Sequence, residues 1–192
     1  MIAIIKYNGG NVNSVQNALN RLGAESIITD DFELIKNADK VIFPGVGEAS
    51  STMKILKEKG LDQLIPALTQ PVLGICLGMQ LMCKNNEEGN TIGMGIFDIN
   101  VKRFPAKDIV PHMGWDTISD LKSNLFSEIK EEGDLYFVHS YYCELSENTT
   151  SVCDYILPFS ASLQKDNFYA TQFHPEKSGK IGSQLLNNFL KL

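Results

Sequence analysis

Residues 71–79 read Pro71-Val72-Leu73-Gly74-Ile75-Cys76-Leu77-Gly78-Met79. The apolar run Pro71–Ile75, bounded by Pro and Gly, has the length of a buried strand, and a helical stretch is expected from Met79 to Lys84. Between them lies a Gly-x-Cys-x-Gly turn, sharp enough to hold its central side chain out of the sheet edge. A Cβ at either glycine would clash in such a turn. Cys76 then sits at a helix N-terminus, where the positive dipole end lowers a thiol's pKa, and the Leu77 N–H is placed to donate to an oxyanion. On this stretch alone a buried structural cysteine remains an equal alternative. Cys83, Cys143 and Cys153 lack the context and read as structural.

Outward from the turn, the first half alternates strand and helix signals. Ile2–Lys6, Glu25–Thr29 and Lys40–Phe43 are short strands. Val12–Leu22 has apolar residues at helical spacing before Gly23, and Glu48–Lys59 is a helix closed by Gly60. This order predicts a parallel sheet covered by helices on both faces. The second half changes character: Ile96–Phe104, Met113–Ile118, Leu135–Val138, Ser151–Ile156 and Phe168–Phe173 read as strands, and Ile181–Leu190 as a helix. No repeat or linker divides the chain. The expected fold is α/β, an open, mostly parallel sheet flanked by helices with an antiparallel extension, with residues 1–192 forming one domain.

Composition narrows the class. A chain of 192 residues, 43% hydrophobic and 21% charged, can bury a full core without staples. The net charge of −6 comes with no basic block, which argues against a nucleic-acid binder. The apolar run at Met1–Tyr7 is too short for a signal peptide, and nothing approaches the ~20 apolar residues of a membrane span. The four cysteines form no C-x-x-C pair and read as free thiols of a reducing compartment, so a cytoplasmic location is expected and the Asn148-Thr149-Thr150 sequon reads as chance.

A nucleophilic thiol needs a base. His174-Pro175-Glu176 follows the strand Phe168–Phe173. In an extended segment residues i and i+2 point the same way, and Pro175 keeps the residue before it extended. Glu176 is thus expected beside the imidazole, fixing its tautomer while His174 takes the thiol proton. Zinc is the competing use of Cys and His. Four Cys and three His suffice by count, but no pair has ligand spacing, so no metal is expected.

Taken together, Gly74-Ile75-Cys76-Leu77-Gly78-Met79-Gln80 and Thr171-Gln172-Phe173-His174-Pro175-Glu176 resemble the two signature motifs of class I glutamine amidotransferases, in the family's order and at about its spacing. The resemblance implies a Cys76–His174–Glu176 triad that hydrolyses L-glutamine through a cysteinyl thioester, with no cofactor. Pro44-Gly45-Val46-Gly47-Glu48, Pro111-His112-Met113-Gly114-Trp115, Val138-His139-Ser140-Tyr141-Tyr142 and Lys177 look like the glutaminase subunit of imidazole glycerol phosphate synthase. In that family the partner is a separate (β/α)8-barrel cyclase of histidine biosynthesis, which receives the ammonia. Carried over, Val46 and Gly47 lie on the oxyanion strand, with Val46 and Leu77 supplying backbone donors, the former rotating into place only when the partner signals. Gln80, Ser140 and Tyr141 resemble positions that hold the glutamine substrate, and Trp115 and Lys177 resemble residues facing the cyclase. Two positions depart from the family: Tyr7-Asn8-Gly9-Gly10-Asn11 stands where Asp-x-Gly-x-Gly-Asn is commoner, and Asp116 where Asn is usual.

Alternatives stay open. The triad motifs alone do not separate a glutaminase serving anthranilate, aminodeoxychorismate or surface-sugar synthesis. A flavodoxin-like nucleotide-binding module would use Asn8–Asn11, which lacks a P-loop Lys and a full G-x-G-x-x-G. It would survive Cys76→Ala, and a glutaminase would not.

Overall fold

β1 (Ile2–Ile5) is buried at all four positions, as a central parallel strand must be when both faces are covered. The computed structural model describes residues 1–7, 11–129 and 133–192. After β1 come α1 (Val12–Arg21), β2 (Ser26–Thr29), α2 (Phe32–Lys36), β3 (Lys40–Gly45), α3 (Ala49–Glu58) and α4 (Leu61–Leu64). The turn region follows as β4 (Val72–Cys76), α5 (Leu77–Met82) and β5 (Cys83–Asn86), then β6 (Thr91–Ile92) and β7 (Phe97–Arg103). The remaining elements are β8 (His112–Asp116), β9 (Leu135–His139), β10 (Tyr141–Cys143), β11 (Thr149–Asp154), β12 (Pro158–Lys165), β13 (Phe168–Thr171) and α6 (Gly179–Lys191).

The main sheet runs β2-β1-β3-β4-β13-β12-β10-β7-β5-β6, with β11 paired to β12. From β2 to β13 the neighbours are parallel. Beyond β13 the pairs with β12, β10 and β7 are antiparallel. β8 and β9 form a separate antiparallel pair. The expected mostly parallel sheet with an antiparallel extension is therefore present. Strand alternation sends Ala3, Ile5, Val41, Phe43 and Val72 to one face, against Met53 and Leu56 of α3 and Met82 of α5. Ile2, Ile4, Ile42, Leu73 and Ile75 go to the other, against Val15 and Leu19 of α1 and Leu185, Leu186 and Phe189 of α6.

Helix ends follow local chemistry. Glu48 lies just outside α3 and caps it, accepting from Ser50 N at 3.1 Å and Ser51 N at 2.7 Å. Those bonds, led by the Ser50 side chain, pull its carboxyl down to about 2. Gly60 leaves the helix at φ +70°, as the sequence predicts. One expected element is corrected: the helix after Cys76 starts at Leu77 and ends at Met82, and Cys83–Asn86 is a strand, parallel to β7. β12, absent from the sequence reading, joins the two halves of the sheet. Its buried positions include Ser160 and Ser162, which no hydrophobic pattern marks. They are satisfied across the strands, Ser162 by Thr150 at 2.7 Å and Ser151 at 2.6 Å, and Ser160 by Thr149 and the Glu144 carbonyl, each at 2.7 Å.

Candidate active site

The site lies where ligands collect in open α/β sheets, beyond the carboxyl ends of parallel strands. Register brings Gly45 of β3 beside Cys76 of β4, and Thr171 of β13 beside Ile75, so the chain leaving each strand enters one crevice. The crevice is a cavity of about 320 Å³. Cys76, His174, Val46, Gly47, Leu77, Gln80, Ser140 and Tyr141 all line it, together with Glu88, Pro111, Val138 and His139.

Cys76 has φ +55°, the strained conformation expected of a nucleophile presented at a sharp turn. The turn needs its glycines. A Cβ on Gly78 would stand 2.1 Å from the Phe43 carbonyl oxygen, and one on Gly74 would stand 2.8 Å from Met82 Sδ. The Cys76 thiol lies 3.9 Å from the Val138 carbonyl and receives Gln172 Nε2 at 3.7 Å.

His174 is held from its backbone outward. Its N–H donates to Tyr136 O at 2.9 Å, and its carbonyl accepts from Ser178 Oγ at 2.6 Å. Nδ1 lies 2.8 Å from Glu176 Oε1, while Nε2 is buried with no hydrogen-bond partner among the described residues. Burial disfavours the charged imidazole, but attraction to Cys76 and Glu176 overrides it and raises His174 to about 9. Cys76 is the larger of the two influences, and Glu176 is the one whose hydrogen bond is made at rest. The expected route to the contact needs one correction. His174 is extended as Pro175 requires, but residues 175–177 form a 3-10 turn, so Glu176 returns beneath the ring through that turn and not by strand alternation.

The flanking residues divide into those in the cavity and those outside it. Gln80, expected at the substrate, is 4% exposed, with Nε2 engaged at 3.0 Å by both Tyr141 O and Gln172 Oε1. Its amide thus ties the wall together. Just before Val46, the Pro44 carbonyl accepts from the Tyr7 hydroxyl at 2.9 Å, and burial raises that phenol's pKa. Trp115 and Lys177 stand outside the cavity and are exposed, both against Tyr136: the Trp115 ring at 5.7 Å, edge-on, and Lys177 Nζ 5.6 Å above the ring. Asn8–Gly10 lie outside the described residues. Sequence reasoning missed Glu88, whose Oε2 accepts from Ala49 N at 2.8 Å and whose carboxyl is raised by burial. No motif surrounds it; only the return of the chain after β5 brings it to the cavity. Gln172, within the second motif, also contacts the nucleophile. His139 is buried and pushed down to about 3 by that burial; its Nδ1 donates to the Tyr141 carbonyl at 2.8 Å.

A thiol on a strained turn, a raised imidazole backed by a buried carboxylate and a cavity beside them constitute machinery for acyl transfer. Residues 3–192 match the family Glutamine amidotransferase class-I, and the chain belongs to that family. Within it, the chain is 62% identical to the imidazole glycerol phosphate synthase subunit HisH of Bacteroides fragilis, covering 100% of this chain and 99% of that one. The corresponding protein of Bacteroides thetaiotaomicron is 60% identical with the same coverage, and that of Pasteurella multocida is 46% identical over 99% of this chain and 97% of its own. Among solved structures, a glutamine amidotransferase superposes with a TM-score of 0.75 at 19% identity, covering 100% of this chain and 98% of its own. PurLQS from Thermotoga maritima superposes with a TM-score of 0.73 at 16% identity, covering 99% and 97%. These two show the shared fold.

Proposed function

We propose that this chain is the glutaminase subunit of imidazole glycerol phosphate synthase, acting through Cys76, His174 and Glu176 and passing ammonia to a separate (β/α)8-barrel cyclase in the cytoplasm. Residues 1–192 serve as one amidotransferase domain. The observation that carries the chemistry is the meeting of strained Cys76 and raised His174 on one cavity, with Glu176 2.8 Å behind the imidazole. The pathway is supported by full-length identity of 62% to a relative of that name. Among the described residues, no helix is long and apolar enough to cross a membrane.

In this reading the Cys76 thiolate attacks the side-chain amide carbon of glutamine, forming the C–S bond and an oxyanion. The Leu77 N–H holds that oxyanion, joined by the Val46 N–H once its peptide has rotated into place on the partner's signal. His174 as imidazolium gives its proton to the departing nitrogen, and ammonia leaves as the C–N bond breaks. Neutral His174 then takes a proton from water, which attacks the thioester; glutamate departs and the thiolate returns. Glu88 faces the cavity as a carboxylate suited to the substrate's α-ammonium, and the Ser140–Tyr141 corner flanks the amino-acid end. Trp115 and Lys177 face the cyclase.

As the Val46 donor is assembled only in the complex in this reading, the isolated chain is expected to be slow, since one missing oxyanion donor costs about 10²–10³ in rate. The test is glutamate release by the chain alone, with the cyclase, and with the cyclase and its nucleotide substrate. Stimulation by the loaded cyclase, abolished by Cys76→Ala, supports both halves of the proposal. Activity indifferent to the cyclase would assign another synthase, and no glutamate under any condition would remove the enzymatic role of this site.

A further inference from the structure

His112 sits outside the catalytic cavity's chemistry, at the start of β8. Alternation along β8 turns Met113 and Trp115 outward and His112 and Asp116 inward. Just past β8, Ser119 pairs with Val152 of β11 through two backbone bonds of 2.8 and 2.9 Å, which brings Cys153 against the inward face. The His112, Asp116 and Cys153 ligand atoms all lie within 4.8 Å of one another.

The hydrogen-bond directions fix what each atom offers. The Tyr141 carbonyl can only accept, so His139 Nδ1 carries a hydrogen, and the Nε2 of neutral His139 is an acceptor. His112 Nδ1, 3.1 Å from that nitrogen, must then be the donor. With His112 neutral, its Nε2 presents a lone pair to Asp116 Oδ2 at 3.2 Å, two acceptors facing each other. The other Asp116 oxygen is occupied by the Thr117 N–H at 2.8 Å. Phe137 stacks on one face of the His112 ring at 4.9 Å and Tyr155 on the other at 4.1 Å, so the ring cannot swing away.

We propose that His112 Nε2, Asp116 Oδ2 and Cys153 Sγ form a site for a divalent cation of the zinc type, which ties β8 to β11. Zinc–nitrogen and zinc–oxygen bonds of about 2.0–2.2 Å at a tetrahedral angle put the two ligand atoms about 3.3 Å apart, close to the spacing present here. Thiolate, carboxylate and neutral imidazole together cancel the ion's double charge, and binding releases the thiol proton to solvent. The second nitrogen of His112 already donates to a buried acceptor, the arrangement that orients a ligating imidazole. Asp116, with its side chain 30% exposed, leaves a side open for a water as fourth ligand. Linear spacing hides the site because its ligands come from two strands distant in sequence.

The test uses Co²⁺ as probe on the full chain carrying Cys76→Ala, which removes the pocket thiol as a competitor. One equivalent of Co²⁺ is expected to bind with a thiolate-to-cobalt charge-transfer band. Zn²⁺ should displace it and raise the thermal midpoint. Adding Cys153→Ser should abolish the band, and adding Asp116→Asn should weaken binding by at least the ~10-fold that even outer-shell changes cost. Absence of the band overturns the proposal, as does a band that survives Cys153→Ser, which would place the ion at Cys83 and Cys143, whose sulfurs are 3.6 Å apart. Should Cys153→Ser fail to fold, unchanged Co²⁺ affinity in Asp116→Asn overturns it instead.

Discussion

Replacing Glu176 with Gln keeps the shape of the side chain and removes its charge. The carboxylate contacts His174 Nδ1 at 2.8 Å, and both side chains are almost wholly buried, so solvent screens the pair little. The rise of His174 from 6.5 to about 9 corresponds to about 3 kcal/mol in favour of the imidazolium, net of burial, at about 1.4 kcal/mol per pKa unit. A hydrogen bond to a charged group is worth about 1.5–3 kcal/mol, so losing this one should cost about 2 kcal/mol at the transition state, or ~30-fold in kcat. Burial then acts with less opposition, so the alkaline limb of the rate profile should move from about 9 toward neutrality. The assay is glutamate release by the cyclase complex from pH 6 to 10, wild type beside Glu176→Gln. A variant with wild-type kcat and an alkaline limb still near 9 would refute the assignment of Glu176 as the group that stabilises His174.

The same shift has a consequence for stability. His174's folded pKa lies above its unfolded value, so between pH 6.5 and 9 the native state holds the extra proton. The stabilisation is fully present below about 6.5 and is lost as pH rises through about 9; thermal midpoints across that window should fall in the wild type and flatten in His174→Asn. Cys76→Gly should abolish glutamate release yet raise the unfolding free energy in urea by about 1 kcal/mol, because glycine accepts φ +55° without strain. Trp115→Ala, truncating an exposed aromatic on β8, should weaken cyclase binding by about 2 kcal/mol in calorimetric titration and leave the chain's own unfolding midpoint within a degree or two.

Much of the parallel half was legible because its strands are buried on both faces and punctuated by Gly and Pro. Ile2–Ile5, Lys40–Gly45 and Val72–Cys76 fall within a residue or two of their expected bounds. The turn around Cys76 could be read because steric crowding leaves only glycine at Gly74 and Gly78. β12 could not be read, since its buried Ser160 and Ser162 break the hydrophobic pattern and are satisfied by the Thr149, Thr150 and Ser151 hydroxyls across the sheet. The site shows the same division. Cys76, His174 and Glu176 were visible because each sits in a local motif, whereas Glu88 and the His112–Asp116–Cys153 cluster exist only through the meeting of distant segments. The contacts of Gln80 were not legible, for its engagement by Gln172 and Tyr141 depends on how β10 and β13 are placed.

Attack by Cys76 is open to direct chemical trapping: the cyclase complex is incubated with a glutamine analogue carrying a diazoketone in place of the amide, and the adduct is mapped by peptide mass spectrometry. A single adduct on the peptide containing Cys76, prevented by excess glutamine and slowed in His174→Asn, is the predicted result. Labelling at Cys83, Cys143 or Cys153 with Cys76 unmodified, while glutamine turnover is lost, would contradict it.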